Sequence, residues 1–292
     1  MALSIHTNYS SLITQTNLNK TNNALSNNQQ RLGTGLRINS AADDAAGLQI
    51  ATRLNAQARG MDVAMRNTSD AVSLLQTAEG AFNEMTDIMQ RMKDLATQSA
   101  NGTNAQADRD ALQAEYDELG KELANIMTNT SYAGEALFGL DGATGKFGAG
   151  AVTFQIGATA AETLELDAST QSTALGTALD GLSSNYTTPG TAGTEIADAA
   201  GANGMIDTIN TALDDIGALR AQFGANINRL NHTANNLANM KDNTEMAKGR
   251  IMDADFAKES ANMSKNSMLM QSGISMLKQA GQMPGMVMSL LG

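Results

Sequence analysis

Arg37, Asn39, Ser40, Asp43 and Asp44 crowd into one short run, LRINSAADDAAG (36–47). Two adjacent carboxylates near a guanidinium suit three kinds of chemistry. They could hold a hard divalent cation, act as an acid–base pair, or close a hydrogen-bonded hinge. A second acidic pair, Asp253 and Asp255, stands in RIMDADFAKES (250–260). Each cluster offers two acids without a ligand spacing, which argues against a metal site, and no cofactor is expected. The two histidines, His6 and His232, lie far apart with no ligand pattern around them. There is no H-E-x-x-H and no G-x-x-x-x-G-K-[ST], so neither zinc proteolysis nor a phosphate-cradling loop is encoded. The expectation is therefore not an enzyme, and the polar clusters read as hinges.

The flanking residues must position those hinges. Leu18, Leu25 and Leu32 recur every seven residues, the period of a coiled-coil seam, and predict a helix over about 4–34. The residues between them are Asn, Thr, Gln and Ser, which suit a helix stable only against partners. Steps of three and four from Met61 to Leu95 predict a helix over about 43–99, about 80 Å long at ~1.5 Å per residue. Ser40 and Asp43 have the spacing of a capping box, with Ser40 or Asn39 as its cap. Thr103 and Gln106 suggest another box before a shorter helix bearing Leu112, Tyr116, Leu119, Leu123 and Ile126. Alternation in VTFQI (152–156) and TLELD (163–167) predicts a hairpin with one buried face. Residues 169–203 read as an exposed loop or small accessory element. A second long helix follows from Ile209 to Met240, and then a terminal helix with Phe256, Met263, Met270 and Leu277 seven apart and Ile274 between. The order is palindromic, and such a chain most simply folds back on itself. Arg37 would then meet the acids at 253–255.

Composition narrows the function. The chain has 292 residues, no Cys, no Trp, two Pro and a net charge of −11. The acids concentrate in the middle, where Lys146 is the single base over 141–215. That excludes a nucleic-acid binder, which needs cations against phosphate. No stretch has the length and apolarity to span a bilayer, and the first twenty residues lack the pattern of a secretory signal. Lack of basic clusters and the Asn/Thr/Gln faces also speak against membrane insertion. Exposed Leu12, Ile13, Met268, Leu269 and Met276, beside the two heptad stripes, point to an assembly interface. Eight methionines fall between 252 and 292. They serve either as plain filler or as a deliberately adaptable interface.

The chain resembles bacterial flagellin. The resemblance is carried by TNLNKTNNALSNNQQRLGTGLRINSAADDAAGLQIATRL, MQRMKDLATQSANGTN (89–104), RIMDADFAKESANMSK (250–265), QSGISMLKQAG (271–281) and the closing MSLLG. It covers about residues 1–168 and 204–292, and the large outer domains of the longest flagellins have no counterpart here. It implies a mainly α fold: a long antiparallel helical rod or coiled coil with a small β-hairpin region, the terminal helices paired in an inner domain. The parts would be an N-terminal helix and connector (1–42), the rod's first half (43–168), a short variable segment (169–203), the rod's returning helix (204–252) and the C-terminal connector and helix (253–292).

By the same resemblance the chain would be a secreted, self-polymerising subunit of the extracellular filament, exported unfolded. Leu18, Leu25, Leu32, Phe256, Met263, Met270, Ile274 and Leu277 would pack the filament core. Arg37, Asn39, Ser40, Asp43, Asp44, Asp253 and Asp255 would form the connector. Implied partners are other copies, other flagellins, an export chaperone, the filament cap protein, hook–filament junction proteins and the animal Toll-like flagellin receptor. Gln90, Arg91, Leu95 and Glu115 match the surface that receptor reads, a surface also serving subunit packing. Flagellins are sometimes O-glycosylated in the outer segment, where Ser169, Thr170, Ser172, Thr173, Ser183, Ser184, Thr187 and Thr188 stand; an undecorated polar loop is the other reading. Alternatives to a filament subunit are a hook–filament junction protein and, from another class, a membrane-active translocator.

Overall fold

A computed structural model describes residues 8–291. Among them are seven helices, α1 (Tyr9–Thr34), α2 (Ala45–Ser99), α3 (Gln106–Asn129), α4 (Ser169–Asp180), α5 (Ser184–Thr187), α6 (Ala199–Met252) and α7 (Phe256–Leu291). The expected start of the first helix near residue 4 lies outside the described residues. Contacts divide the chain into two compact units. One holds the residues up to Ala58 together with those from Asp242 on, and the other is Arg59–Lys241.

The central unit carries the dense core. Its parts of α2 and α6 run antiparallel, as the pairs Asp62–Lys241 and Glu79–Arg220 require. The α2 stripe supplies Leu75, Ala78, Phe82, Met85, Met89 and Met92, all fully buried, and α6 answers with Ile209, Ala212, Leu219 and Phe223. A period of 3.6 puts each set on one face, so two long helices zip along their length. Helix α3 adds Tyr116, Leu123 and Met127. Its start is held by Asp108, whose carboxylate accepts the Ala105 N–H at 3.1 Å. Thr103 therefore does not cap it, because the helix begins two residues later than a Thr103 cap would require.

Two antiparallel hairpins pack beside one stretch of α2, where the Asn67 amide donates to the Gln155 carbonyl and the Tyr132 hydroxyl to that of Asp70. Strands β1 (Ser131–Tyr132) and β2 (Glu135–Ala136) pair across a two-residue turn. Strands β3 (Val152–Gln155) and β4 (Thr163–Leu166) pair in the register Val152–Leu166 and Phe154–Leu164. Leu164 and Leu166 are the buried face, as alternation requires.

Residues 169–203 form the small accessory element of the two readings, but it is packed rather than exposed. They form α4, α5 and a packed return, with Leu175, Leu179, Leu182, Tyr186 and Ile196 wholly buried in the same core. The three leucines are spaced four and three apart, a helical face diluted by Ser, Thr and Gly. Tyr186 donates to the Leu140 carbonyl at 2.8 Å, and Tyr116 to that of Leu182 at 3.0 Å. Each buried phenol thus has an acceptor, and burial pushes both phenol pKa values up.

The other unit is built on α1 against α7. The pair is antiparallel: Arg31 bridges to Glu259, and the Asn8 amide donates to the Ala280 carbonyl at 2.7 Å. Gly35 ends α1 in the left-handed conformation (φ 71°), and its N–H returns to the Arg31 carbonyl.

Candidate functional site

The two polar runs meet as a connector. Gly35 accepts from Ala254 N–H at 2.9 Å, and Arg37 N–H donates to the Met252 carbonyl at 2.6 Å. This is a one-step antiparallel ladder between Leu36 and Asp253. The Arg37 guanidinium donates to the Ile251 carbonyl at 2.7 Å. Arg37 was expected against the 253–255 carboxylates; it binds instead the last turn of α6, whose orphan carbonyls and negative dipole end attract a cation.

The capping arrangement also differs from the expectation. Helix α2 starts at Ala45, and its cap is Asp44, which accepts the Gly47 N–H at 2.8 Å. Ser40 is not the cap. Asp43 folds back and accepts the N–H groups of Ser40 (2.9 Å) and Asn39 (3.1 Å) together with the Ser40 hydroxyl (3.0 Å). Those bonds, the Ser40 N–H foremost, hold its carboxyl below the usual range. The Asn39 amide donates to the Leu36 carbonyl. Across the connector Asp255 caps α7, accepting from Ala257 and Lys258 N–H groups at 3.0 and 3.1 Å. Asp253 is exposed, and its N–H donates to the Gly249 carbonyl. Asp43, Asp44 and Asp255 are thus taken as turn and cap acceptors, while Asp253 joins the connector through its backbone. Among the described residues no group of three or more His, Cys, Asp or Glu is placed to hold a metal ion.

Beyond the connector, α1 and α7 cover only part of each other. Leu18, Leu25, Leu32, Met263, Met270 and Leu277 are half-buried. Phe256 and Ile274 do not share that seam: they are 60% and 42% exposed. Phe256 opens α7 directly after its cap, and Ile274 sits a turn from the stripe, so both face outward. With them Tyr9, Leu12, Ile13, Met268, Leu269 and Met276 form exposed apolar surface on the same two helices.

Family models identify this layout. The bacterial flagellin N-terminal helical region matches residues 5–142, and the flagellin C-terminal helical region matches residues 206–291. Flagellin A of Vibrio anguillarum is 36% identical, with both chains covered in full over 385 aligned positions. The chain belongs to the bacterial flagellin family. Polar flagellin C of Vibrio parahaemolyticus is likewise 36% identical over the full length of both chains. A solved protein assigned as a flagellar hook-associated protein of Vibrio parahaemolyticus matches 72% of this chain and 100% of its own, with a TM-score of 0.58 and 14% identity, a likeness of fold alone. As a flagellin, the chain is a structural subunit of the bacterial flagellar filament, and flagellins self-polymerise.

The flagellin surface around α2 and α3 is only partly as expected. Gln90, Arg91 and Glu115 are exposed, and Arg91 reaches one Glu115 oxygen through Nε at 2.8 Å and Nη2 at 2.5 Å. Leu95 is 1% exposed. It faces the core, because it continues the Met85–Met89–Met92 stripe, and it supplies no external contact. The hydroxyl set divides in the same way. Ser172 and Ser183 are buried and cannot take a sugar, whereas Thr170, Thr173, Ser184, Thr187 and Thr188 are exposed and Ser169 is half-exposed.

One arrangement carried no signal in the sequence. Gln113, 5% exposed, donates to Asp117 and Glu195 at 2.7 Å each and accepts from Ile196 N–H at 2.7 Å. Glu195 in turn accepts from Ser184 N–H at 2.6 Å and its hydroxyl at 2.5 Å. This network latches the 184–196 return onto α3. The partners are about eighty residues apart in sequence, so spacing could not reveal them.

Proposed function

We propose that the outward faces of α1 and α7 are the surfaces by which one copy packs against the next in the core of an extracellular filament. The observation that carries this reading is the apolar surface left exposed on those two helices: Tyr9, Leu12, Ile13, Phe256, Met268, Leu269, Ile274 and Met276. Surface of that extent on a chain otherwise well packed marks an interface. A neighbouring copy is the fitting occupant, since the family self-polymerises. The polymer then repays the ordering of the terminal helices, and the export chaperone, cap protein and junction proteins would act on them before or during assembly. The connector ladder, with Arg37 on the α6 terminus and Asp44 and Asp255 capping α2 and α7, transmits load between covalently continuous helices. Arg91, with Gln90 and Glu115, is the part of the α2–α3 surface open to a Toll-like receptor. The chain carries out no catalysis in this reading.

Electron microscopy of the purified chain after seeding tests the proposal. The native chain is expected to give long helical filaments, and Leu12→Asp with Met268→Asp to stay as folded single copies. Filaments of unchanged length from that double variant would overturn the interface. A cap-stabilised junction protein would instead give short, seed-independent oligomers from the native chain.

A further inference from the structure

The most buried side chains between α1 and α7 include two polar ones. Asn28 and Glu259 are each 7% exposed, whereas the leucines and methionines of the two stripes are only half-buried. Glu259 receives Arg31 on one carboxylate oxygen at 3.3 Å. Its other oxygen receives the Asn28 amide at 3.2 Å, with that amide oriented so that its oxygen accepts from Asn266 at 3.1 Å. The carboxylate is therefore desolvated and held by two donors from α1.

The apolar part of the seam does not define one alignment. Leu18, Leu25 and Leu32 repeat every seven residues, and so do Met263, Met270 and Leu277, with the exposed Phe256 one heptad before them, outside the observed seam. Sliding α7 along α1 by seven residues lays the same kinds of side chain together again. The polar group alone is not repeated. Seven residues before and after Arg31 stand Ala24 and Ile38, and before and after Asn28 stand Thr21 and Gly35. In either slipped pairing Glu259 would lie in the seam without a guanidinium or an amide. An uncompensated buried charge is strongly disfavoured, and a single polar seam position is an attested way to specify register. The two backbone bonds of the connector ladder and the Arg37 bond to the Ile251 carbonyl are a weaker restraint, because they join partly exposed chain whose groups water can serve.

We propose that Asn28, Arg31 and Glu259 determine the register of the terminal helix pair, selecting one among alignments that the heptads leave equivalent. Resting on the filament-subunit reading, this also sets which apolar side chains each copy presents to the next. The group does not make the pair tighter; it makes it single-valued.

The chain has no cysteine, so introduced pairs report cleanly. A β-carbon at Gly273 would lie 3.2 Å from Leu18 Cδ1, so Leu18→Cys with Gly273→Cys reads the observed register. Ser11→Cys or Leu25→Cys, each with Gly273→Cys, reads the two slips. Cross-linking within single chains is measured by mass after mild oxidation of assembled filaments, and of soluble subunit in parallel. In the native background only the 18/273 pair is expected to close. Adding Asn28→Leu and Glu259→Leu should raise the slipped products about tenfold, as loss of a desolvated charge group implies. Exchanging the charges in the otherwise native chain, Arg31→Glu with Glu259→Arg, should keep cross-linking at 18/273. Closure at 18/273 alone in the doubly apolar variant would overturn the proposal, as would slipped products already in the native chain. Microscopy of the same samples keeps this separate from the filament reading: filaments with no register selection sink only the register proposal, and absence of filaments from the native chain sinks the reading beneath it.

Discussion

The central unit and the terminal helix pair are both long antiparallel helices, yet they are held together differently. In the central unit Phe82, Phe138, Phe147 and Phe223 form a closed ring of contacts with centroids 4.8–5.7 Å apart. They are four of the chain's six phenylalanines, and each is 2% exposed or less. Between α1 and α7 no large apolar residue reaches that burial: Asn28, Glu259 and Ala280 are the residues buried among those described. Hydrophobic stabilisation scales with apolar area removed from water, so the first unit has a core of its own. The second has half of one. The same helical architecture thus gives a closed core in one region and a half-covered seam in the other, which under the proposed function a neighbouring copy completes.

That difference can be broken most sharply by truncating one large side chain in each region. Phe223→Ala leaves a hole in the aromatic ring and should cost the central unit about 3–5 kcal/mol. Thermal unfolding of soluble subunit would show it as a large drop in Tm. Leu25→Ala, at a half-buried position, should shift that same transition by less than about 1 kcal/mol while slowing or stopping polymerisation. Equal effects of the two variants on the soluble subunit would mean that the terminal pair is already as well packed as the centre.

A smaller, pH-dependent effect sharpens the comparison from the central side. Burial raises the Glu195 pKa, but the N–H and hydroxyl of Ser184, with help from Gln113, outweigh it, and the net shift is downward. A carboxyl depressed in the folded state adds stability above its unfolded pKa, near 4.3, and loses that contribution as pH falls through the folded value. Glu195→Gln should therefore cost about 1–3 kcal/mol at pH 7, the scale of hydrogen bonds to a charged acceptor, and progressively less in acid. Melts from pH 7 to pH 3 would follow the gap closing. A gap independent of pH would show that the lost bonds, not the charge, hold the 184–196 return.

Periodicity reveals elements whose own residues carry the signal. The seven-residue stripes of α1 and α7, the long faces of α2 and α6, and the alternation of β3 and β4 were legible because each lies in one continuous stretch. What pairs distant residues was not. The Ser, Thr and Gly around Leu175 and Leu179 mask the apolar face of α4, which shows only once the glycine-rich segment lies against it at Ser172 and Gly176. Charge alone matches Arg37 to the nearest acids, but Asp255 is taken by the first N–H groups of α7, and a last-turn carbonyl of α6 accepts the guanidinium instead. Family resemblance places Leu95 on the surface, while its own spacing from Met85, Met89 and Met92 sets it in the core. Nothing in RIMDADFAKES marks Glu259; only the pairing with α1 shows that it is buried.

The smallest expected effect concerns the turn between β1 and β2. Ala133 and Gly134 have φ values of 53° and 86°, both in the left-handed region, across a two-residue hairpin. That geometry is native to Asn-Gly, where the asparagine side chain offsets the left-handed conformation and glycine has none to clash. An alanine held there is strained by roughly 1 kcal/mol. The position is exposed, so a larger side chain there stays out of the core. Ala133→Asn should therefore stabilise the central unit by about 0.5–1 kcal/mol without touching its core. A small rise in Tm, with polymerisation by α1 and α7 unchanged, is the expected result. If polymerisation changed while Tm did not, the hairpin would belong to the interface, and the division between a self-sufficient centre and neighbour-dependent ends would have to be redrawn at β1 and β2.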